Sequence, residues 1–421
     1  MKRPQIVILG AGFGGVFVAK NLRKAIKRGE VDVTIINRTN SFLFTPLLHE
    51  VATGGLNPRN VAEPLREIFV GTNIRIIQGW VESIDSKNRT LSIKADGDIT
   101  TSLVYDYLVI ATGAETAYYG IAGAQEHALP LKTLADAARI RNRVINAFEE
   151  ASVTTDAEQR RDLLSFVVVG GGATGVEVVG ELTEFIDGIV DRYHYCQKDE
   201  PKVTLVHASK ELLEQFKPSL RKAAQEQLTK EGITVRAETF VTEVTSEGLK
   251  LKSGEMIEAS TIIWSAGVKA LVPKFTDMQP TLTGGRLAVD NYFRILGNDR
   301  IFAMGDAAAY IDSHDGPTGR PIPQLAQAAQ AQASVVAANL IAAVHGRPMQ
   351  EFHYHSKGAM VSVGQWFAIG EIYSMKMAGW FTWWLWRTVY LSKFASWKKR
   401  VRIALEWFLD IFFPRDITKI G

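Results

Sequence analysis

The stretch "SFVVVGGGATGVEVVGELTEFI" (165–186) decides the fold. A β-rich apolar run enters three glycines, and apolar residues then recur at helical spacing. This predicts a strand, a tight turn and an amphipathic helix. Gly170, Gly172 and Gly175 stand at GxGxxG spacing. The first glycine permits the tight turn, the second lets backbone approach a pyrophosphate, and the third lets helix pack on strand. A helix beginning there offers unpaired N–H groups and a partial positive charge to phosphate. One such motif is weak, because glycine turns often serve packing alone. The segment "PQIVILGAGFGGVFVAKNLRKAI" (4–26) repeats the whole design with Gly10, Gly12 and Gly15, and with Gly14 beside them. Two copies in the same strand–helix context predict two nucleotide-binding units.

Each unit has a second strand whose tip faces the ribose in such folds. "VDVTIINR" ends at Asn37, 22 residues after Gly15, and "KVTLVHAS" ends at His207. Neither tip carries the usual acid. Asn37 can still donate to and accept from ribose hydroxyls. "YDYLVIATGAE" (105–115) and "STIIWSAGV" (260–268) are expected to be strands running into glycine turns at sheet edges. "NDRIFAMGDAAAY" (298–310) predicts a strand ending at Gly305-Asp306, before small residues able to start a helix. Residues 135–151 are polar and helical in pattern, as expected of a surface connection.

The bulk numbers fit this organisation. The chain has 421 residues, 46% hydrophobic and 22% charged, with a net charge of +3. That length accommodates two or three domains, and so small a net charge gives no sign of nucleic-acid binding. The lone cysteine, Cys196, excludes an internal disulfide, a CxxC redox pair and a thiolate zinc cluster. It fits a small buried side chain. Glycines interrupt the apolar start after "IVIL", so a mature strand is expected rather than a cleaved leader.

Two nucleotide folds, an edge after each ("ATG" in the first) and a late "GDAA" resemble the two-dinucleotide-binding flavoproteins. Within them the chain is similar to the type II NADH dehydrogenases, single-subunit, non-pumping NADH:quinone oxidoreductases. The specific segments are "NRTNSFLFTPLLHEVATG" (37–54), "GGGATGVEVVGEL" (170–182), "FAMGDAA" (302–308), "PQLAQAAQAQASVVAANL" (323–340) and the tail "LWRTVYLSK…VRIALEWFLDIFFPRDI".

The resemblance implies an α/β chain with two Rossmann-like domains and a C-terminal membrane-associating helical region. The FAD domain would comprise 1–115 and 286–345, the NAD(P)H domain 116–285, and the membrane and dimer region 346–421. FAD would be held by Gly10, Gly12, Gly14 and Gly15, with Asn37 and Arg38 at its adenosine. Thr45 and Pro46 would lie along its ring, and Thr112 and Gly113 would line it. Gly305 and Asp306 would hold the ribityl chain, with Gln324, Leu325 and Ala326 opening a helix aimed at the ring. NADH, with NADPH as a second donor, would be held by Gly170, Gly172, Gly175, His207 and Gly267. Glu177 would stand near the reacting rings and Gln327 where flavin meets quinone, as the two catalytic residues; a first-turn carboxylate exposed at the helix start is the plain alternative for Glu177. Glu181, one turn on, is either a polar neighbour of that site or, as expected, a plain helix carboxylate. At the ribose tip, an acid would repel the 2′-phosphate of NADPH. His207 removes that repulsion, which predicts NADPH use growing below neutral pH as the imidazole gains charge; the alternative is a neutral His207 serving the ribose hydroxyls of NADH.

No metal is required. His353 and His355 would share one face of a strand, and two histidines without a third ligand usually pack or face solvent. Seven of nine tryptophans follow residue 365, and from Arg387 to Leu405 there are six basic residues and no acidic one. Lys376 and Lys393 bracket sixteen residues, short of the roughly 20 that span a bilayer. Helices lying in the interface are therefore expected, or alternatively an aromatic pair buried in a homodimer. The implied site of action is the cytoplasmic face of an inner or plasma membrane, with a membrane quinone as acceptor. A soluble reductase of a ferredoxin-like protein would need no such tail, and a slow redox-sensing module would show no quinone turnover. Sulfide:quinone and disulfide reductases need cysteine pairs.

Overall fold

The strands entering both glycine turns, Gln5–Leu9 and Ser165–Val169, are buried almost throughout, as central strands of parallel sheets are. Each is an interior strand of its own sheet. The computed structural model describes residues 3–95, 99–315, 319–373, 375–394 and 396–419. The chain forms two compact units: Met1–Leu43, Ala62–Glu115 and Val268–Ser356, then Phe44–Val61, Thr116–Gly267 and Lys357–Gly421.

In the first unit a seven-stranded sheet runs in the order Ile301–Ala303, Tyr107–Ile110, Gln5–Leu9, Asp32–Asn37, Arg75–Asp85, Thr90–Ala95, Ile99–Val104. The first five are parallel and the last two extend the sheet antiparallel. Strand order reverses at Gln5–Leu9, which opens the crevice where such sheets bind ligands. Val7, Leu9, Ile36, Leu108, Ile110 and Ile301 fill the core there. Helix Phe13–Lys27 packs against helix Ala326–His345, an Ala-rich rod that permits close approach.

The second unit repeats this with a five-stranded parallel sheet, Leu129–Pro130, Thr261–Trp264, Ser165–Val169, Lys202–Val206, Thr234–Arg236. Trp264, Val167 and Val206 lie in its core. The C-terminal region adds an antiparallel meander, Ala359–Ser362, Ala368–Ile372 and Met375–Gly379, then helices Trp380–Lys393 and Trp397–Leu409. Gly180 on helix Ala173–Val190 is where the meander docks, since a Cβ there would lie 2.5 Å from the amide nitrogen of Gly364.

Several expectations change. Residues from Lys357 onward fall in the same compact unit as the second nucleotide fold, joined by Phe44–Val61 from far upstream. Helix Leu134–Val153 is no mere surface connection, because its Ile140, Val144, Ile145 and Phe148 face are buried. Gly305–Ala307 form a short 3₁₀ turn followed by strand Ala308–Ala309, where a helix start was expected. His353 and His355 lie on irregular chain, not on a strand.

Candidate active site

Both glycine turns are closed on the protein side and open outward. A Cβ on Gly15 would lie 1.9 Å from the Gly10 carbonyl oxygen, and one on Gly175 would lie 1.8 Å from that of Gly170. Gly10 and Gly170 hold φ of +93° and +119°, in the region that suits glycine. A Cβ on Gly12 or Gly172 would meet nothing within 4 Å. Those positions leave the free approach that a pyrophosphate needs, so the residues present fit a dinucleotide in each unit. Gly14 serves packing instead, against the Met304 side chain.

The strand tips share a device that the sequence does not display. Asn37 Oδ1 accepts from the Ala11 amide at 2.9 Å, and His207 Nδ1 accepts from the Gly171 amide at 3.0 Å. Each tip thus anchors the middle residue of its own glycine turn. Accepting through Nδ1 leaves that nitrogen unprotonated and places the neutral ring's proton on Nε2. Burial also pushes the imidazole below its ordinary value, against a smaller opposing influence from Glu214. Both observations favour the neutral ring, the alternative reading of His207, because protonation would disrupt the Gly171 contact.

In the first unit, the Arg38 guanidinium stacks over Trp80 at 3.4 Å, a flat cationic platform beside Asn37. Thr112 Oγ donates to the Leu271 carbonyl at 2.5 Å, which fixes the edge turn, and Gly113 beside it is open. The Gly305 amide donates to Gln332 Oε1 at 2.7 Å, and Gln324 Nε2 donates to the Asp306 carbonyl at 3.1 Å. These bonds hold the Gly305-Asp306 turn against helix Ala326–His345, whose N-cap is Leu325. Gln327 Nε2 donates to the Tyr354 hydroxyl at 3.0 Å.

Thr45 and Pro46 belong to the second unit, in the short turn Thr45–Leu47. Gly267, also in that unit, has φ of +151°, and a Cβ there would strike the Tyr119 hydroxyl at 2.1 Å. Glu177 is buried, which removes its reading as an exposed first-turn carboxylate. Burial holds it well above the ordinary carboxyl range, helped by Glu50 and Glu181 and opposed by the Ser362 backbone. His49 Nδ1 lies 3.9 Å from its Oε2, and burial lowers that imidazole to about 4.

Glu181 is no plain helix carboxylate. It is buried and its Oε2 meets Arg415 Nη2 at 2.6 Å, while Glu184 meets the same nitrogen at 3.1 Å. Burial alone would raise Glu181, but Arg415, His49 and Arg387 outweigh it and keep the carboxyl low. Arg387, the charge inside the apolar tail, is buried over the faces of Trp383 and Trp407 at 3.9 and 4.8 Å. The Trp407 indole N–H donates to Glu50 Oε2 at 2.5 Å, and burial pushes Glu50 up to about 7. Glu50, Arg387 and Arg415 carry no motif spacing, so only the fold reveals this buried network.

Residues 4–333 match the family model described as pyridine nucleotide-disulphide oxidoreductase, and 356–416 match that of the NDH2 C-terminal domain. The chain is 32% identical to the type II NADH:quinone oxidoreductase NdhA of Mycobacterium tuberculosis, covering 96% of this chain and 86% of that one. It is 31% identical to the mitochondrial internal alternative NAD(P)H-ubiquinone oxidoreductase A1 of Arabidopsis thaliana, covering 100% and 88%. The NDH2 of Plasmodium falciparum in complex with NADH shares the fold at a TM-score of 0.90 and 21% identity, covering 99% of this chain and 100% of that one. A duplicated dinucleotide cradle, an NDH2 C-terminal domain and full-length relatives lead to one assignment: the chain belongs to the type II NADH:quinone oxidoreductases, within the pyridine nucleotide-disulphide oxidoreductase family.

Proposed function

We propose that this chain oxidises NADH and reduces a membrane quinone, with FAD held by the first unit and the nicotinamide nucleotide by the second. The observation that carries this reading is the duplicated cradle, open at Gly12 and at Gly172 and anchored in each case by its strand tip. FAD bound there supplies hydride acceptance and onward delivery of two electrons. Gly10, Gly12 and Gly15 bind its pyrophosphate, Asn37 and Arg38 receive the adenosine, and Thr112, Gly113, Gly305 and Asp306 line the remainder. Gln324, Leu325 and Ala326 lead into the long helix Ala326–His345, whose first-turn N–H groups form a positive end for charge that develops on a bound ring.

On the nucleotide side, Gly170, Gly172, Gly175 and Gly267 bind NADH, and His207 serves the ribose as a neutral ring. Burial raises the Glu177 carboxyl well above its ordinary range, which favours the protonated form, and Glu177 is assigned to proton delivery as quinone is reduced. Gln327, oriented by Tyr354, is assigned to contact the quinone.

The test is Glu177→Gln in the FAD-loaded chain. Quinone-dependent NADH oxidation should fall by about 10²-fold, the usual size of a general-acid contribution, while bleaching of the flavin by NADH persists. Undiminished quinone turnover overturns the role of Glu177. Absence of any flavin bleaching by NADH overturns the function.

The tail supports a membrane surface as partner. Among the described residues no helix is long and apolar enough to cross a membrane. Trp383, Trp386 and Trp407 are buried, whereas Trp380, Trp384, Trp397, Val401, Leu405, Phe408 and Phe412 are exposed. On helix Trp397–Leu409 the exposed members recur at spacings of four and three, an apolar stripe beside Lys398 and Arg402. Such a stripe with flanking cations suits a helix lying in a headgroup layer on the NADH-supplied, cytoplasmic side. A homodimer sharing that platform is the assembly we assign to it.

A further inference from the structure

We propose that Asp312, His314 and His353 form a binding site for a divalent first-row transition-metal ion, with zinc as its probe. The three side chains belong to the first unit, and none of them has a place in the reaction above. His314 Nδ1 and His353 Nδ1 face each other at 2.7 Å, with Asp312 Oδ1 at 2.9 Å from the His353 nitrogen and 3.3 Å from that of His314. The two rings meet edge-on, with centroids 3.9 Å apart and planes at 89°.

The triangle has the size a metal needs. Its centre is about 1.7 Å from each atom, so an ion at the usual ~2.0–2.1 Å from nitrogen and oxygen would sit about 1 Å out of the plane. That is a facial set of two imidazoles and one carboxylate, which leaves the remaining positions to water. Imidazole nitrogen selects zinc, copper, nickel or cobalt over magnesium and calcium, which take oxygen ligands.

The carboxylate is held ready. Asp312 is buried, its Oδ1 accepts from the His314 amide at 3.1 Å, and its Oδ2 accepts from the Tyr354 amide at 2.9 Å. Such outer hydrogen bonds orient metal ligands. Glu351 adds a second negative charge close by, fixed by Ser313 Oγ at 2.9 Å and Asn291 Nδ2 at 3.1 Å. The site is also reachable, since the His314 side chain is 72% exposed and that of His353 36%.

The test is calorimetric titration of ZnCl₂ into the full-length, FAD-loaded chain after removal of metal by chelator and dialysis. The parent should bind one zinc saturably at this site. His314→Ala, at an exposed position, and His353→Gln, which keeps a polar partner for Asp312, should each weaken it by at least ~10–100-fold, the loss produced even by outer partners of a metal ligand. The bound flavin spectrum reports that each variant is folded. Titration with cobalt(II) should give visible absorption bands that both variants lose, and MgCl₂ should give no saturable heat. Absence of saturable zinc binding by the parent, parental affinity in either variant, or equal binding of magnesium overturns the proposal.

Discussion

Replacing Arg415 by Met tests the buried network most directly. Arg415 meets Glu181 and Glu184 where the three side chains are 13%, 3% and 18% exposed. Its removal strands the Glu181 carboxylate, next to a Glu184 that burial already raises, and breaking a buried pair from one side costs about 3–5 kcal/mol. At about 2–4 °C per kcal/mol in a large domain, melting should fall by roughly 10 °C. The cost lies mainly in the stranded charge rather than in a lost attraction. The triple variant Arg415→Met/Glu181→Gln/Glu184→Gln should therefore recover more than half of the loss. Differential scanning calorimetry on the FAD-loaded protein at pH 7.5 provides both values. A single variant within about 1 kcal/mol of the parent, or a triple variant as unstable as the single, would refute the reasoning.

Other outcomes follow from the same geometry. Gly12→Ala should fold yet lose FAD on gel filtration, because its Cβ meets no protein atom but occupies the phosphate side, whereas Gly15→Ala should disrupt the turn itself. Glu50 has a folded-state value raised from 4.5 to about 7, so its stabilising contribution is complete below pH 4.5 and is lost as pH rises through 7. Glu50→Gln should match the parent at pH 5 and exceed it at pH 8 by an amount on the order of 2–3 kcal/mol, seen in paired melts. The ratio of NADPH to NADH turnover should stay flat from pH 8 to 6.5, since burial and the Gly171 contact keep His207 neutral; a rise on acidification counts against this. Trp397→Ser/Phe408→Ser/Phe412→Ser should reduce co-sedimentation with anionic vesicles while flavin reduction by NADH is unchanged.

The parts legible in the sequence are those written locally. Strand, turn and helix of each cradle lie within some twenty residues, and the glycine spacing states what the backbone must do there. The strand edges at Thr112-Gly113 and Gly267 were equally readable, since a turn follows its strand directly. The buried network was not, because Glu181 and Arg415 are 234 residues apart and no spacing rule links the segments that carry them. Arg387 looked like an interruption of an apolar helix, and its role emerges only when Trp383 and Trp407 close over it. The sequence pattern pairs His353 with His355 along a strand. Its partners instead come from 39 and 41 residues upstream, on a segment with no periodicity to announce them.

The bond from each strand tip to its glycine turn limits what substitution can do at these two positions. Asn37 and His207 share no charge and little shape, yet both offer an acceptor on the δ atom of the side chain. Aspartate offers the same, whereas serine is too short and glutamate carries its oxygens one bond further out. Any redesign of donor preference at position 207 therefore has a small alphabet. Asp or Asn can enter with the turn intact, and other side chains must first find a different way to hold Gly171 in place.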